Sequence, residues 1–215
     1  MYMKALLILV SSTLVLSCGE SSNQPAKRVD SPTIATTKPA APYTLPVPNG
    51  WTTEQFPIPI EFAPQIPYKG LEELRFTPGW GDTTSADHWS YFFLWWLEDS
   101  PSPDAVALQQ HLTAYYNGLV GRNITQRKIP AEKLVTTKVS ITKETAAAND
   151  QNTYSGTIYM LNYLKQQPIT LHCRIHERKC GGNRTALFFE ISPQAFNDSI
   201  WEAYKKILNG FTCTQ

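Results

Sequence analysis

A short segment between two predicted strands contains several side chains that are suited to binding a ligand. Within residues 78–88 lie the indole of Trp80, the carboxylates of Asp82 and Asp87 and the imidazole of His88. Glycines in the same segment let the backbone come close to another molecule, and binding groups concentrate in loops that a rigid sheet positions. These four side chains are therefore predicted to form a site for a small ligand or a protein partner.

The same segment also has a purely structural interpretation. Trp80 would then fill the edge of a sandwich, and Asp82 or Ser85 would cap a turn by accepting hydrogen bonds from nearby backbone N–H groups. The two interpretations differ in whether the polar groups point together into a pocket.

Two acids on the preceding predicted strand raise an alternative, a hydrolase. Glu72 and Glu73 precede the carboxylates and the imidazole described above. A glycan hydrolase needs two carboxyl groups about 5 to 9.5 Å apart in a pocket. Glu73 also shares a strand face with Arg75, which predicts an ion pair between them instead. A hydrolase of glycans or peptides that uses these acids and His88 is therefore the alternative hypothesis.

Histidines and cysteines in residues 172–180 raise the question of a metal site. His172 and His176 are four residues apart, which is about 13 Å on a strand that rises about 3.3 Å per residue, whereas nitrogen ligands bind one zinc ion at about 2.0 Å. Cys173 points to the opposite face of the strand. No metal site is predicted, and the histidines are expected on a solvated strand face. Because the sequence contains no phosphate-binding loop, dinucleotide fingerprint, zinc helix or nucleophile elbow, no cofactor is predicted.

Three cysteines follow Cys18, an odd number for pairing. Cys173 shares its strand face with aliphatic residues and is expected in the core, whereas Cys180 lies in a hairpin turn and Cys213 follows the last predicted helix. The predicted disulfide joins Cys180 to Cys213, and Cys173 with Cys213 is the alternative. A bridge closing about thirty residues stabilises a fold by about 3 to 4 kcal/mol in the chain-entropy model.

The N-terminal segment has the order of a secretory signal sequence. Residues 1–4 carry one positive charge, residues 5–16 are mostly apolar, and Val-Leu-Ser-Cys follows at 15–18. The apolar stretch is shorter than the roughly 20 residues that span a bilayer. The tetrapeptide resembles the lipobox of bacterial lipoproteins, which implies cleavage before Cys18 and lipid attachment to its thiol. An ordinary signal sequence, with Cys18 in a disulfide, is the alternative.

The lipoprotein resemblance also implies a location. Acyl chains anchor a protein to a membrane, since each buried methylene contributes about 0.8 kcal/mol. Gly19 stands where an aspartate would favour retention at the inner membrane. The resemblance therefore implies a lipid-anchored protein of the cell envelope, with the outer membrane favoured.

Composition divides the chain after the signal sequence (residues 1–17) into a tether and one domain. Residues 18–42 are rich in Ser, Thr, Pro and Ala and predict a disordered tether. Residues 43–215 have the size of one domain and hold all six tryptophans. Removal of residues 1–17 takes away one lysine and no acid, which leaves 18 basic against 18 acidic residues. Because this neutral chain has no basic stripe, no nucleic-acid partner is predicted.

Hydrophobic periodicity predicts an α+β fold, an antiparallel sheet of about six to seven strands with two main helices packed on it. The strand at 88–97 is aromatic at almost every position and is predicted to be central, with both faces covered. The first helix is predicted to begin with Ser102 as its N-cap and to end at Gly118 or Gly121. The remaining predicted elements are a proline-rich strap at 46–67 with an edge strand at 58–62, strands at 71–77, 133–143, 154–164, 169–176 and 185–191, and a helix at 197–209.

Two features of the domain resemble known proteins. The order of elements is similar to the PsbP-like sandwich, which implies helices packed on one antiparallel sheet. The motifs Pro78-Gly79-Trp80-Gly81 and His88-Trp89-Ser90-Tyr91 resemble a family of uncharacterised bacterial secreted lipoproteins over most of residues 45–213. This resemblance implies no activity for particular residues.

The leading functional prediction is a membrane-anchored envelope lipoprotein with a non-enzymatic domain that binds an envelope protein or a small ligand. The hydrolase alternative requires at least two of its polar side chains to converge in a pocket. A structural accessory of a larger envelope assembly is a third hypothesis. Most of the aromatic residues are expected to form the core.

Overall fold

The computed structural model describes residues 41–213. Cys18, the signal sequence and the predicted tether up to residue 40 lie outside this range. The elements in chain order are β1 (Tyr43–Thr44), β2 (Thr52–Ile58), β3 (Gly70–Phe76), β4 (Tyr91–Leu97), α1 (Ala105–Arg127), a 3-10 turn (Ala131–Lys133), β5 (Lys138–Glu144), β6 (Asn152–Asn162), β7 (Gln167–Cys180), β8 (Arg184–Ser192), α2 (Ser199–Asn209) and β9 (Thr212–Cys213).

Seven strands form one antiparallel sheet in the order β2-β3-β4-β8-β7-β6-β5, and β1 pairs with β9 in a separate two-stranded sheet. The four strands β5 to β8 follow each other as the predicted meander, and β8 then pairs with β4. One helix packs on each face of the large sheet. The predicted α+β fold, with two helices on an antiparallel sheet of about seven strands, is confirmed.

Strand β4 lies in the interior of the sheet, and all seven of its residues are buried. Side chains of a strand alternate between faces, so Tyr91, Phe93 and Trp95 enter the core on the α1 side, whereas Phe92 and Trp96 enter the core on the α2 side. The prediction of a central strand covered on both faces is confirmed.

The strand nevertheless begins at Tyr91 rather than at the predicted residue 88. Trp89 has a positive φ of 60°, and the N–H of Ser90 bonds the carbonyl of Asp87. Residues 88–90 therefore belong to the preceding turn.

The proline-rich strap contributes an edge strand at Thr52–Ile58, and the predicted edge strand at 58–62 is wrong. Pro57 is tolerated in β2 because an edge strand has one side without ladder hydrogen bonds. Beyond β2 the strap forms successive turns, in which the N–H of Ala63 bonds the carbonyl of Ile60 and that of Ile66 bonds the carbonyl of Ala63. These three side chains are buried and cover one end of the core on the α1 side.

Helix α1 begins two residues later than predicted and ends later as well. Asp104 is the N-cap, because its Oδ1 accepts a hydrogen bond from the N–H of Ala107 at 2.8 Å, while the hydroxyl of Ser102 donates to Glu177. The helix continues through Gly118 to Arg127. Gly118 serves close packing, since a Cβ there would lie 1.8 Å from the carbonyl oxygen of Phe62.

Helix α2 follows its prediction closely. Asp198 caps the N-terminus by accepting a hydrogen bond from the N–H of Ile200 at 3.0 Å, and Gly210 follows the last turn. The predicted apolar stripe is buried against the sheet and consists of Ile200, Trp201, Tyr204, Ile207 and Leu208.

The predicted disulfide between Cys180 and Cys213 is confirmed. It joins the end of β7 to β9, which also pairs with β1 through Tyr43 and Cys213. Cys173 is buried and has a free thiol. The bridge thus ties the C-terminal strand to the sheet.

Loss of the disulfide is expected to lower the free energy of unfolding by about 4 kcal/mol, since the two cysteines are 33 residues apart and the chain-entropy cost grows with the logarithm of that separation. Urea unfolding of the wild type with and without reductant measures the difference. The Cys213→Ser variant is expected to match the reduced wild type, and the Cys173→Ala variant should keep its sensitivity to reductant. Equal stability of the oxidised and reduced protein would contradict the expectation.

Candidate ligand-binding cavity

Residues 77–90 form a loop built from successive turns. Asp82 accepts hydrogen bonds from the backbone N–H and the hydroxyl of Thr84 at 2.8 and 2.7 Å, and Ser85 accepts one from the N–H of Asp87. The hydrogen bonds of Asp82 hold the pKa of its carboxyl below the usual value. The loop therefore uses Asp82 and Ser85 as turn caps, as the structural interpretation of this segment predicts.

His88 is a buried positioning residue of this loop. Its Nε2 lies 2.9 Å from the side-chain amide nitrogen of Asn162, and its Nδ1 lies 3.0 Å from the carbonyl oxygen of Trp80. An amide N–H donates to Nε2, so the proton on Nδ1 is free to donate to the carbonyl. Burial lowers the pKa of His88, which favours this neutral form. The imidazole thereby fixes the backbone of Trp80 against the turn that follows β6.

The indole of Trp80 is held by other rings. Its centroid lies 4.8 Å from that of Phe76, 5.6 Å from Trp89 and 6.5 Å from Tyr91. Its N–H and that of Trp89 have no hydrogen-bond acceptor within the described part of the chain. Ring contacts therefore hold the Trp80 side chain, which remains partly exposed.

That side chain forms part of the wall of a cavity of about 550 Å³, which falls within the range of about 300 to 1,000 Å³ typical of small-molecule sites. Helix α1 supplies one wall through residues at helical spacing, including Tyr115, Leu119 and Arg122. Strand β2 supplies a second wall through its alternate residues Thr52, Glu54 and Phe56. The complete lining is Thr52, Glu54, Phe56, Phe62, Leu74, Phe76, Thr77, Pro78, Trp80, Gly81, Trp89, Tyr91, Tyr115, Leu119, Arg122, Asn123, Gln126 and Tyr163.

The walls of the cavity combine aromatic rings with a polar rim. Partly exposed rings come from Phe56, Phe62, Phe76 and Trp80. Deeper rings are buried in the core, and Tyr91 and Tyr115 are among them. The rim is polar and consists of Thr52, Glu54, Arg122, Asn123 and Gln126. Such a site offers flat apolar contact inside and hydrogen bonds at its edge.

The structure does not bring the four predicted site residues together. Trp80 lines the cavity, whereas Asp82, Asp87 and His88 do not. Asp82 is engaged with its own turn, and the ring of His88 points to Asn162. The four residues share a loop, but that loop presents only its indole to the cavity.

Glu72 and Glu73 point to opposite faces of β3. The carboxyl of Glu72 is fully buried on the α1 side and accepts hydrogen bonds from the indole N–H of Trp95 at 3.1 Å and the hydroxyl of Tyr115 at 2.7 Å. Glu73 pairs with Arg75 on the other face, as predicted, and accepts a hydrogen bond from Tyr43. Neither acid lines the cavity, so the convergence that the hydrolase alternative requires is not seen there.

Burial of the Glu72 carboxyl raises its pKa from 4.5 to about 8, and the bonds from Tyr115 and Trp95 oppose this rise. The group is therefore mostly protonated at neutral pH. Its proton is bound more tightly in the folded than in the unfolded state, so its contribution to stability is present below about pH 4.5 and is lost as the pH rises through about 8.

The Glu72→Gln variant tests this contribution, because glutamine keeps the shape of the neutral carboxyl and does not ionise. We expect the free energy of unfolding of the wild type to fall relative to that of the variant between pH 5 and pH 9, by an amount on the order of a few kcal/mol. Urea unfolding at both pH values measures it. Parallel pH profiles of the two proteins would show that Glu72 does not titrate in this range.

A second buried polar cluster lies on the α2 side of β7. Asp150 bonds the Nδ1 of His176 at 2.6 Å and the guanidinium of Arg178 at 2.9 Å. Burial alone would lower the pKa of His176, but the hydrogen bond with Asp150 and the carboxylate of Glu190, 3.7 Å from Nε2, raise it to about 9. The imidazole is therefore charged at neutral pH, and together with Arg178 it balances the two acids Asp150 and Glu190.

The two strand histidines have different environments. His176 is buried in this cluster, contrary to the expectation of a solvated residue, whereas His172 lies beside the ring of Phe196 with centroids 5.3 Å apart. Within residues 41–213 no group of three or more His, Cys, Asp or Glu side chains is placed to hold a metal ion.

Sequence reasoning missed the two walls of the cavity that lie outside the loop. On α1, Leu119, Arg122 and Gln126 recur at helical spacing, and on β2, Thr52, Glu54 and Phe56 alternate. Helical periodicity could have indicated the α1 wall, and strand alternation could have indicated the β2 wall, each by itself. Their meeting in space depends on the end of α1, which was predicted too early.

No protein-family model matches the chain, and the search of curated proteins gave no match. Among residues 41–213 no helix has both the length and the apolar character needed to cross a membrane.

Proposed function

We propose that the chain is an envelope lipoprotein, anchored by lipid on Cys18, whose domain binds a small ligand in the aromatic cavity without transforming it. The support for the anchor is the Val-Leu-Ser-Cys segment at 15–18 and the Ser/Thr/Pro-rich stretch that follows it. The support for binding is the cavity itself, with its partly exposed aromatic rings and its polar rim.

The observation that carries the binding function is the partial exposure of four rings in one concavity. Phe56, Phe62, Phe76 and Trp80 all retain accessible surface, and all line the cavity. Large apolar side chains that stay open to solvent in a concave site mark a place where another molecule is bound. Burial of a ring by a ligand then contributes as burial in the core does, about 25 cal/mol per Å² of apolar surface.

The lining favours binding over catalysis. Of the described residues that line the cavity, Glu54 is the only one with a carboxylate, and none is a histidine, cysteine or lysine. Nucleophilic and acid–base sites commonly pair a carboxylate, histidine, cysteine or lysine with a second such group, and this lining holds no such pair. A binding role needs only the rings and the rim.

Lipid attachment is expected to depend on the thiol at position 18. Cells given a labelled fatty acid should incorporate label into the wild type and not into the Cys18→Ser variant. Extraction of the wild type should need detergent, whereas extraction of the variant should not. Mass spectrometry of the N-terminal peptide from the producing cell measures the modification directly. An unmodified Cys18 in the mature protein, or a mature chain that begins elsewhere, would contradict the anchor.

Binding in the cavity is expected to be detectable with a neutral aromatic dye. We choose N-phenyl-1-naphthylamine and the mature chain carrying Cys18→Ser, because detergent micelles would take up the dye. Dye fluorescence should rise saturably on addition of the protein. Leu119→Trp fills the cavity from α1 and should abolish the rise.

Val106→Trp is the matched control, since Val106 is an exposed residue on the same helix and does not line the cavity. This variant should bind the dye as the parent does. Equal binding by the Leu119→Trp and Val106→Trp proteins, or no saturable binding by the parent, would refute a ligand site in this cavity.

A further inference from the structure

The charges on the cavity rim restrict the charge of the ligand. Glu54 on β2 and Arg122 on α1 line the cavity from two different walls, and both side chains are exposed. Neither has an ion-pair partner within residues 41–213. The two opposite charges sum to zero, so the rim attracts neither organic anions nor organic cations as a class. It therefore suits a ligand without net charge.

The hydrogen-bonding capacity of the rim restricts the ligand further. The carboxylate of Glu54 only accepts hydrogen bonds, the guanidinium of Arg122 only donates them, and the side chains of Gln126 and Thr52 do both. A ligand that engages all of them needs both hydrogen-bond donors and acceptors. Hydroxyl groups supply both.

The inner walls favour a rigid ring over a flexible chain. Eight of the described lining residues carry aromatic rings, whereas only two, Leu74 and Leu119, are leucines. The rings of Phe76 and Trp80 contact each other, with centroids 4.8 Å apart at an angle of 58°, and both side chains are partly exposed. A flat surface makes most contact with the flat face of a cyclic molecule.

We propose that the cavity binds a short neutral saccharide. Its rings stack through their C–H faces on Trp80 and Phe76, and its hydroxyls bond Glu54, Arg122 and Gln126 at the rim. This inference rests on the proposed function and adds the chemical class of the ligand. A saccharide combines three properties that fit the lining: no net charge, hydroxyls that donate and accept hydrogen bonds, and a rigid ring with an apolar face.

The test uses three neutral probes, triacetylchitotriose, cellotriose and maltotriose, with the mature chain carrying Cys18→Ser. Saturation-transfer NMR detects binding, and displacement of N-phenyl-1-naphthylamine places it in the cavity. At least one trisaccharide should bind and displace the dye. Trp80→Ala should weaken that binding about tenfold, which corresponds to about 1.4 kcal/mol, whereas Trp80→Phe should keep most of it.

Rim variants separate loss of contact from loss of folding, because these side chains are exposed. Arg122→Ala and Gln126→Ala should each weaken saccharide binding about three- to tenfold and leave the thermal unfolding midpoint unchanged. Glu54→Gln keeps an acceptor and should have less effect than Glu54→Ala. Gln110→Ala is the matched control, since Gln110 is exposed on α1 and does not line the cavity.

The outcomes distinguish this inference from the proposed function. Normal dye binding that no trisaccharide displaces would overturn the saccharide class and leave the binding function in place. Absence of both dye and saccharide binding would overturn both. Tighter binding of the anionic dye 1-anilinonaphthalene-8-sulfonate, or of the zwitterionic peptide Phe-Phe, than of any trisaccharide would overturn the requirement for a neutral ligand.

Discussion

The burial of β4 on both of its faces is the constraint on which the rest of the fold depends. Its seven consecutive apolar residues alternate between two cores, and each fully buried large side chain contributes about 1.5 to 3 kcal/mol. A strand of this kind requires cover on both sides. Helix α2 and the β1–β9 pair supply part of that cover on one face, and the disulfide fixes β9 to the sheet. Helix α1 and the strap supply it on the other face.

The cover on the α1 side also creates the cavity. Gly118 lets the backbone of Phe62 lie directly against α1, and the hydroxyl of Tyr115 bonds the buried Glu72 on β3. These two contacts attach the helix to the strap and to the sheet. The last turns of α1, from Leu119 to Gln126, then form one wall of the cavity, with Trp80 on another. The cavity is therefore defined by the same contacts that bury the core.

Much of the fold followed from sequence periodicity, because strands and helices with one buried face carry their pattern locally. The central position of β4, the meander, the face of α2 and the Cys180–Cys213 bridge were predicted in this way. Errors arose where the role of a residue depends on a contact with a residue far away in the sequence. Gly118 was interpreted as a helix end, whereas its lack of a side chain lets the backbone of Phe62 pack against α1. The site shows the same limit of sequence reasoning. Trp80 was predicted as a site residue from the composition of its loop, whereas Arg122 and Glu54 belong to elements that meet only in the folded chain.

The proposed function depends on an open aromatic cavity between α1 and β2 that accepts a ring-shaped molecule. A crystal structure of the mature chain carrying Cys18→Ser, grown with N-phenyl-1-naphthylamine, would show whether that cavity exists and binds. Electron density for the dye is expected in contact with both Trp80 and Leu119. Side chains of α1 packed directly onto Phe56 and Phe76, with no space between them and no dye, would contradict it.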